Sequence, residues 1–185
     1  MFRKLFLSFI IVFSIVTILF SCGKKENTKE IIYNGSVMLY TNIDAEILKK
    51  IKEDFESTYK GIVLDYFNNN VNEISNKLEE SFDLDLPEAD IVICEDSNLF
   101  NRASSKKWFN LYESKEDKYI SEDYKLNDKD YYIVFSKEND NFMMGLVSNS
   151  LNVDNGHLLV DYLLSKKGQE LLVNNGLKSV RNDIK

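Results

Sequence analysis

Sixteen residues without a formal charge, Leu5 to Phe20, open the chain between Arg3-Lys4 and the polar Gly23-Lys24-Lys25-Glu26-Asn27. Beyond them the apolar positions regroup into short periodic runs. Val37-Met38-Leu39-Tyr40 has strand length, and Ile47, Leu48, Ile51 and Phe55 then fall at helical spacing behind Asp44, a natural N-cap. Gly61 ends that helix. Ile62-Val63-Leu64-Asp65-Tyr66-Phe67 reads as a second strand that stops at Asn68-Asn69-Asn70, and a helix follows over 71–82 with Val71, Ile74, Leu78 and Phe82 on one face. Pro87, the only proline, closes the next loop, and Ala89-Asp90-Ile91-Val92-Ile93-Cys94 is the third strand. Glu95-Asp96-Ser97 leads into a short helix over 98–104. Near-continuous apolar strands alternating with helices predict an α/β domain with a parallel sheet covered on both faces. Right-handed crossovers order its first strands 2-1-3.

The second half breaks this rhythm. After Trp108-Phe109-Asn110-Leu111-Tyr112 comes a polar stretch, Glu113–Lys129, that reads mostly as loop. Tyr131–Ser136 and Phe142–Val147 are strand-like and are joined by the five charged or polar residues Lys137–Asn141, which predicts a hairpin. Asp154 can cap a helix carrying Leu158, Leu159, Tyr162 and Leu163. Ser165–Gln169 breaks it before Glu170–Asn174, and Gly176 marks the last helix end.

The opening run is too short for the roughly 20 apolar residues that cross a bilayer, and it has the pattern of a secretion signal. It ends in Leu19-Phe20-Ser21-Cys22, which resembles a lipobox, with Phe20 bulkier than the small residue usual there. The resemblance implies diacylglycerol on the Cys22 sulfur, cleavage before Cys22, and anchoring to the extracytoplasmic side of a bacterial membrane. An added amide-linked acyl chain gives the two-chain hold that one chain lacks. The expected organisation is a signal peptide over 1–21, a flexible tether over 22–35 and a single lobe over 36–185.

Charge and chemistry narrow the rest. Residues 1–21 hold two cations and no carboxylate, so their removal takes the net charge from −7 to −9. Such an acidic chain argues against nucleic acid as a partner and leaves cationic solutes open. Cys94 is the one cysteine besides Cys22, inside an apolar run, which excludes an internal disulfide after lipidation and fits a small buried side chain. His157, the only histidine, has no companion for a metal site and reads as an exposed helix residue; no Gly-rich phosphate loop exists. No cofactor, metal centre or enzyme activity is expected.

Two blocks carry a family resemblance. The first runs from Val37-Met38-Leu39-Tyr40-Thr41 through Gly61-Ile62-Val63-Leu64 and Ala89-Asp90-Ile91-Val92 to Leu111-Tyr112. The second is Leu159-Val160-Asp161-Tyr162-Leu163-Leu164-Ser165-Lys166-Lys167-Gly168-Gln169-Glu170, closing with Val180-Arg181-Asn182-Asp183. Together they resemble the solute-binding proteins of ABC transporters in the type II periplasmic binding superfamily, most closely its iron(III), polyamine and oxyanion branches. The resemblance implies two lobes, of which the second would be inserted between the two blocks and is missing here. What remains is one three-layer lobe with a mixed sheet of about five strands, order 2-1-3-n-4, and C-terminal helices. Phe142–Val147 is then the central antiparallel strand.

Ligands of open parallel sheets sit beyond the carboxyl ends of the strands. Here those loops supply Thr41, Asn42 and Asp44, Asn68, Asn69 and Asn70, and Glu95, Asp96 and Ser97. Thr41, Asn42 and Ser97 suit an anion at helix N-termini, and Asp44, Glu95 and Asp96 suit a cation. Iron-binding relatives place a histidine near the position of Asp44 and use a tyrosine pair from the second lobe. Tyr131-Tyr132 falls on a strand of the first lobe, so that role is not carried over. Trp108-Phe109 is expected to pack on the sheet edge. Two functions follow: a weak binder of a small polar or ionic solute, working with an ABC permease or completed by a homodimer partner, or an interaction scaffold that kept the lobe.

Overall fold

A computed structural model of the chain describes residues 33–86, 88–126 and 130–184. The signal segment, Cys22, most of the tether and Pro87 lie outside the described residues. The order is β1 (Gly35–Thr41), α1 (Ala45–Thr58), β2 (Ile62–Asn68), α2 (Val71–Asp83), β3 (Ile91–Cys94), α3 (Ser97–Ser105) and β4 (Phe109–Asn110). After two single turns of 3₁₀ helix, Asp117–Tyr119 and Glu122–Tyr124, come β5 (Tyr131–Lys137), β6 (Asp140–Val147), α4 (Val153–Leu164) and α5 (Lys166–Val173). No helix among the described residues is long and apolar enough to cross a membrane.

In the first half of the chain each passage from strand to helix is fixed by a short polar side chain. Asp44 accepts from Glu46 N at 2.9 Å, Asn70 from Glu73 N at 3.1 Å and Asp96 from Asn98 N at 2.8 Å, which satisfies N–H groups that the first helical turn leaves open. Gly61 turns the chain into β2 at φ +100°, with the Tyr33 carbonyl where a side chain would go.

The sheet runs β2-β1-β3-β6, parallel across β2-β1-β3 and antiparallel between β3 and β6. The far edge of β6 is shared: β4 lies opposite Leu146 and Val147, and β5 opposite the residues from Asp140 to Gly145. The expected order 2-1-3-n-4 holds, with β6 as the central antiparallel strand. Helices α1, α4 and α5 pack together on one face, where Phe55 meets Tyr162 edge-on at 5.4 Å, while α2 and α3 cover the other. Leu39, Leu64, Ile91 and Ile93 from the sheet, Leu48, Ile51 and Phe55 from α1, and Ile74 and Leu78 from α2 are fully buried. Each such side chain contributes about 1.5–3 kcal/mol of transfer free energy.

Several local expectations are corrected. The β5–β6 connection is two residues, Glu138 and Asn139, because the strands pair on through Lys137 and Asp140; Glu138 takes the left-handed turn at φ +56°. Asp154 lies in the first turn of α4, and the cap position is Asn152, which makes no side-chain capping bond. A single residue separates the last helices: Ser165 Oγ donates to Tyr162 O at 2.6 Å and accepts from Gly168 N at 3.1 Å, so α5 begins at once. β2 is an edge strand with Val63 and Tyr66 exposed, so the sheet is not covered throughout.

Candidate functional site

The parallel register sets Thr41 beside Ile93, so β1 and β3 end together and deliver Asn42 and Glu95 to one place. Asn42 Nδ2 donates to the Glu95 carboxylate, and Asp44 stands two residues on at the start of α1. Because β6 runs antiparallel to β3, with Cys94 opposite Met143, the start of β6 and the hairpin tip rise beside the same strand end. The result is a cleft of about 350 Å³. Asn42, Asp44 and Glu95 form one wall and Lys137, Glu138 and Asp140 the other, above a floor that includes Ile47, Phe135, Phe142 and Leu177.

Four carboxylates against one lysine give the cleft a negative field. Its nearest helix N-termini each carry their own carboxylate, Asp44 accepting from Glu46 N at the start of α1 and Asp96 from Asn98 N at the start of α3, which makes them less inviting to an anion. Asn42 Oδ1 is buried without a hydrogen-bond partner, an acceptor that a ligand N–H can satisfy. The cleft therefore favours a cation with hydrogen-bond donors and some apolar surface over an oxyanion.

Of the nine strand-end residues, Asn42, Asp44 and Glu95 line the cleft. Of the other six, five make bonds that fix the strand ends and helix starts around it. Thr41 is fully buried and its Oγ1 accepts from Ile43 N at 3.2 Å; Asn68 Nδ2 donates to Ile43 O at 3.0 Å. Asn69 N donates to Thr41 O at 3.0 Å, Asn70 caps α2, Asp96 caps α3, and Ser97 is the first residue of α3. The hairpin wall was absent from sequence reasoning. A two-residue turn in place of a five-residue loop would have pointed to it, since it aims Lys137 and Asp140 beyond the end of β3.

Other singled-out residues are structural. Burial pushes the Cys94 thiol up to about 12. Trp108 is buried and stacks on Phe82 at 5.0 Å, and His157, half-buried rather than exposed, stacks on Tyr112 at 4.1 Å. Among the described residues no group of three His, Cys, Asp or Glu side chains is set to hold a metal ion.

No family model and no curated protein matches the sequence. Solved structures do match. The substrate-binding protein of an ABC transporter from Agrobacterium tumefaciens aligns over 88% of this chain and 82% of its own, with a TM-score of 0.74 at 8% identity. The chain has the fold of one lobe of a periplasmic binding protein. The periplasmic binding protein AfuA from Actinobacillus pleuropneumoniae, with fructose-6-phosphate bound, aligns over 83% of this chain and 87% of its own (TM-score 0.72, 11% identity). A ferric binding protein from Campylobacter jejuni aligns over 80% and 88% (TM-score 0.70, 11% identity). At these identities the periplasmic-binding-protein likeness concerns the fold, and all three neighbours are binding proteins rather than enzymes.

Proposed function

We propose that this chain is a lipid-anchored solute-binding lipoprotein whose cleft takes a small cationic solute, weakly or with a partner, for an ABC permease. The observation that carries this reading is the acidic cleft at the joined ends of β1 and β3, with its unpartnered Asn42 acceptor. The similar folds of proteins described as binding sugar phosphate and ferric iron support the class of function, since fold alone does not fix the activity. A single lobe leaves its ligand largely open to water, whereas tight sites bury 70–90% of it. Micromolar affinity, or completion of the site by a second copy, follows. Anchoring rests on the lipobox-like residues before Cys22, and it places the lobe outside the cytoplasmic membrane.

One observation favours a scaffold instead. Where the family resemblance implies an inserted second lobe, the chain makes a two-residue turn at Glu138-Asn139. Native mass spectrometry of freshly purified protein separates the readings: a co-purified small cation supports binding, and an empty chain in complex with another protein supports the scaffold. For the anchor, Cys22→Ser is expected to leave an unprocessed precursor while the wild type partitions into detergent. A wild-type chain retaining residues 1–21, or lacking acyl mass on Cys22, sinks that part.

A further inference from the structure

A second cavity, of about 210 Å³, lies at the other end of β5. Its walls include Tyr112, Tyr124, Tyr131 and Tyr132, with Asp117 among them. Tyr131 opens β5 and Lys137, which closes it, lines the cleft; six steps of about 3.3 Å put the two sites roughly 20 Å apart. They share no lining residue.

Asp117 is the anomaly. It opens a single 3₁₀ turn, where its N–H donates to Ser114 O at 3.1 Å. Its Oδ2 is 3.5 Å from Tyr132 Oη, but that hydroxyl also meets the Tyr112 carbonyl at much closer range. Its Oδ1 is buried without a hydrogen-bond partner. The nearby cations are engaged elsewhere: Lys125, in the cavity wall, pairs with Glu122 at 2.5 Å, and Lys118 lies over the Tyr119 ring at 4.8 Å. Glu113 adds a second carboxylate to the wall.

A buried carboxylate oxygen without a donor is costly, and aromatic rings around it attract a cation through their negative faces. What the cavity lacks is a compact group with N–H donors, positive charge and an apolar body. We infer that this tyrosine-walled pocket is a second binding site, for a protonated primary amine carrying a small apolar group, with Asp117 Oδ1 accepting from the ammonium. The electrostatics agree: burial holds the Asp117 carboxyl above the ordinary carboxylate range despite the lowering effect of the Tyr132 hydroxyl and the Ser114 backbone, with Glu113 and Asp161 adding repulsion that a bound cation would relieve. The unpartnered oxygen calls for N–H donors, which selects primary over quaternary ammonium.

Phenethylammonium and its neutral analogue 2-phenylethanol, titrated into the full chain in detergent, test this. The Asp117→Asn protein in the same detergent corrects for partitioning into micelles. The wild type is expected to bind the amine at least about tenfold more tightly than the alcohol, the scale of a hydrogen bond to a charged group. Asp117→Asn should remove the preference, and Asp44→Asn, in the cleft, should keep it. Should Asp117→Asn fail to fold, Tyr124→Leu should weaken amine binding about threefold, the size of a modest cation–π contact. Equal affinity for amine and alcohol, or a preference that survives Asp117→Asn, overturns the proposal.

Discussion

Gln169 and Asn42 carry the same chemical group, a primary amide, in opposite circumstances. Gln169 is fully buried and uses every direction it has: Nε2 donates to Val134 O at 2.8 Å and Leu163 O at 2.7 Å, and Oε1 accepts from Ser179 Oγ and Val180 N at 2.9 Å each. It ties β5, α4 and the C-terminal segment into one body. Asn42 spends its donor on Glu95 and leaves Oδ1 without a partner at the edge of a cleft. The first amide is complete within the protein and serves stability. The second is incomplete, and the missing partner is what a ligand can supply.

The sharpest way to break this contrast is Gln169→Leu. It strips partners from two carbonyls, one hydroxyl and one backbone N–H around a fully buried position, and a loss of about 3 kcal/mol in urea unfolding is expected. A loss below about 1 kcal/mol would show that the network is not holding the elements together. Next in size is Gly168→Ala, since a Cβ there would overlap the Tyr162 carbonyl that ends α4. Overpacking of that kind costs about 2 kcal/mol and should appear as a lowered melting temperature; an unchanged melt would mean that the α4–α5 joint can relax.

At the cleft the expectation inverts. Asn42→Ala should change unfolding free energy by no more than about 0.5 kcal/mol, as ordinary for surface positions, while altering solute affinity. A large stability loss would make Asn42 another structural amide. The smallest effect concerns Asp117. Its carboxyl is held above its ordinary 3.8, so the protonated form is favoured by the fold. That contribution is present at pH below the ordinary value and is lost as pH rises through the raised one. Asp117→Asn, permanently neutral, should therefore melt slightly higher than wild type near about pH 7, and the gap should close by about pH 3. A gap that widens on acidification contradicts this sign.

Much of the lobe was legible because its first half is locally consistent. Asp44, Asn70 and Asp96 each precede a helix-period run, and the apolar strand residues Leu39, Leu64 and Ile91 are buried as their runs predict. The second half resisted for identifiable reasons. β4 is two residues long and exists only through its pairing with Leu146 and Val147. The hairpin turn at Glu138 holds a non-glycine residue at positive φ, which propensity does not announce. Of the candidate site, Asn42, Asp44 and Glu95 were accessible because strand ends in a parallel sheet are predictable. Lys137, Glu138 and Asp140 were not, because they reach the cleft only through the antiparallel register of β6 against β3.

The most direct test of the central claim is calorimetric titration of the protein, with its oligomeric state established, with divalent cations and spermidine on one side and ferric citrate, molybdate and phosphate, all anionic, on the other. The account predicts that a cationic solute binds the monomer at micromolar affinity or weaker, about −8 kcal/mol at most, and that Asp44→Asn and Glu95→Gln weaken it. Preference for an oxyanion, or nanomolar binding by a proven monomer, would contradict the open acidic cleft as the site, and silence across the panel would leave the scaffold reading in its place.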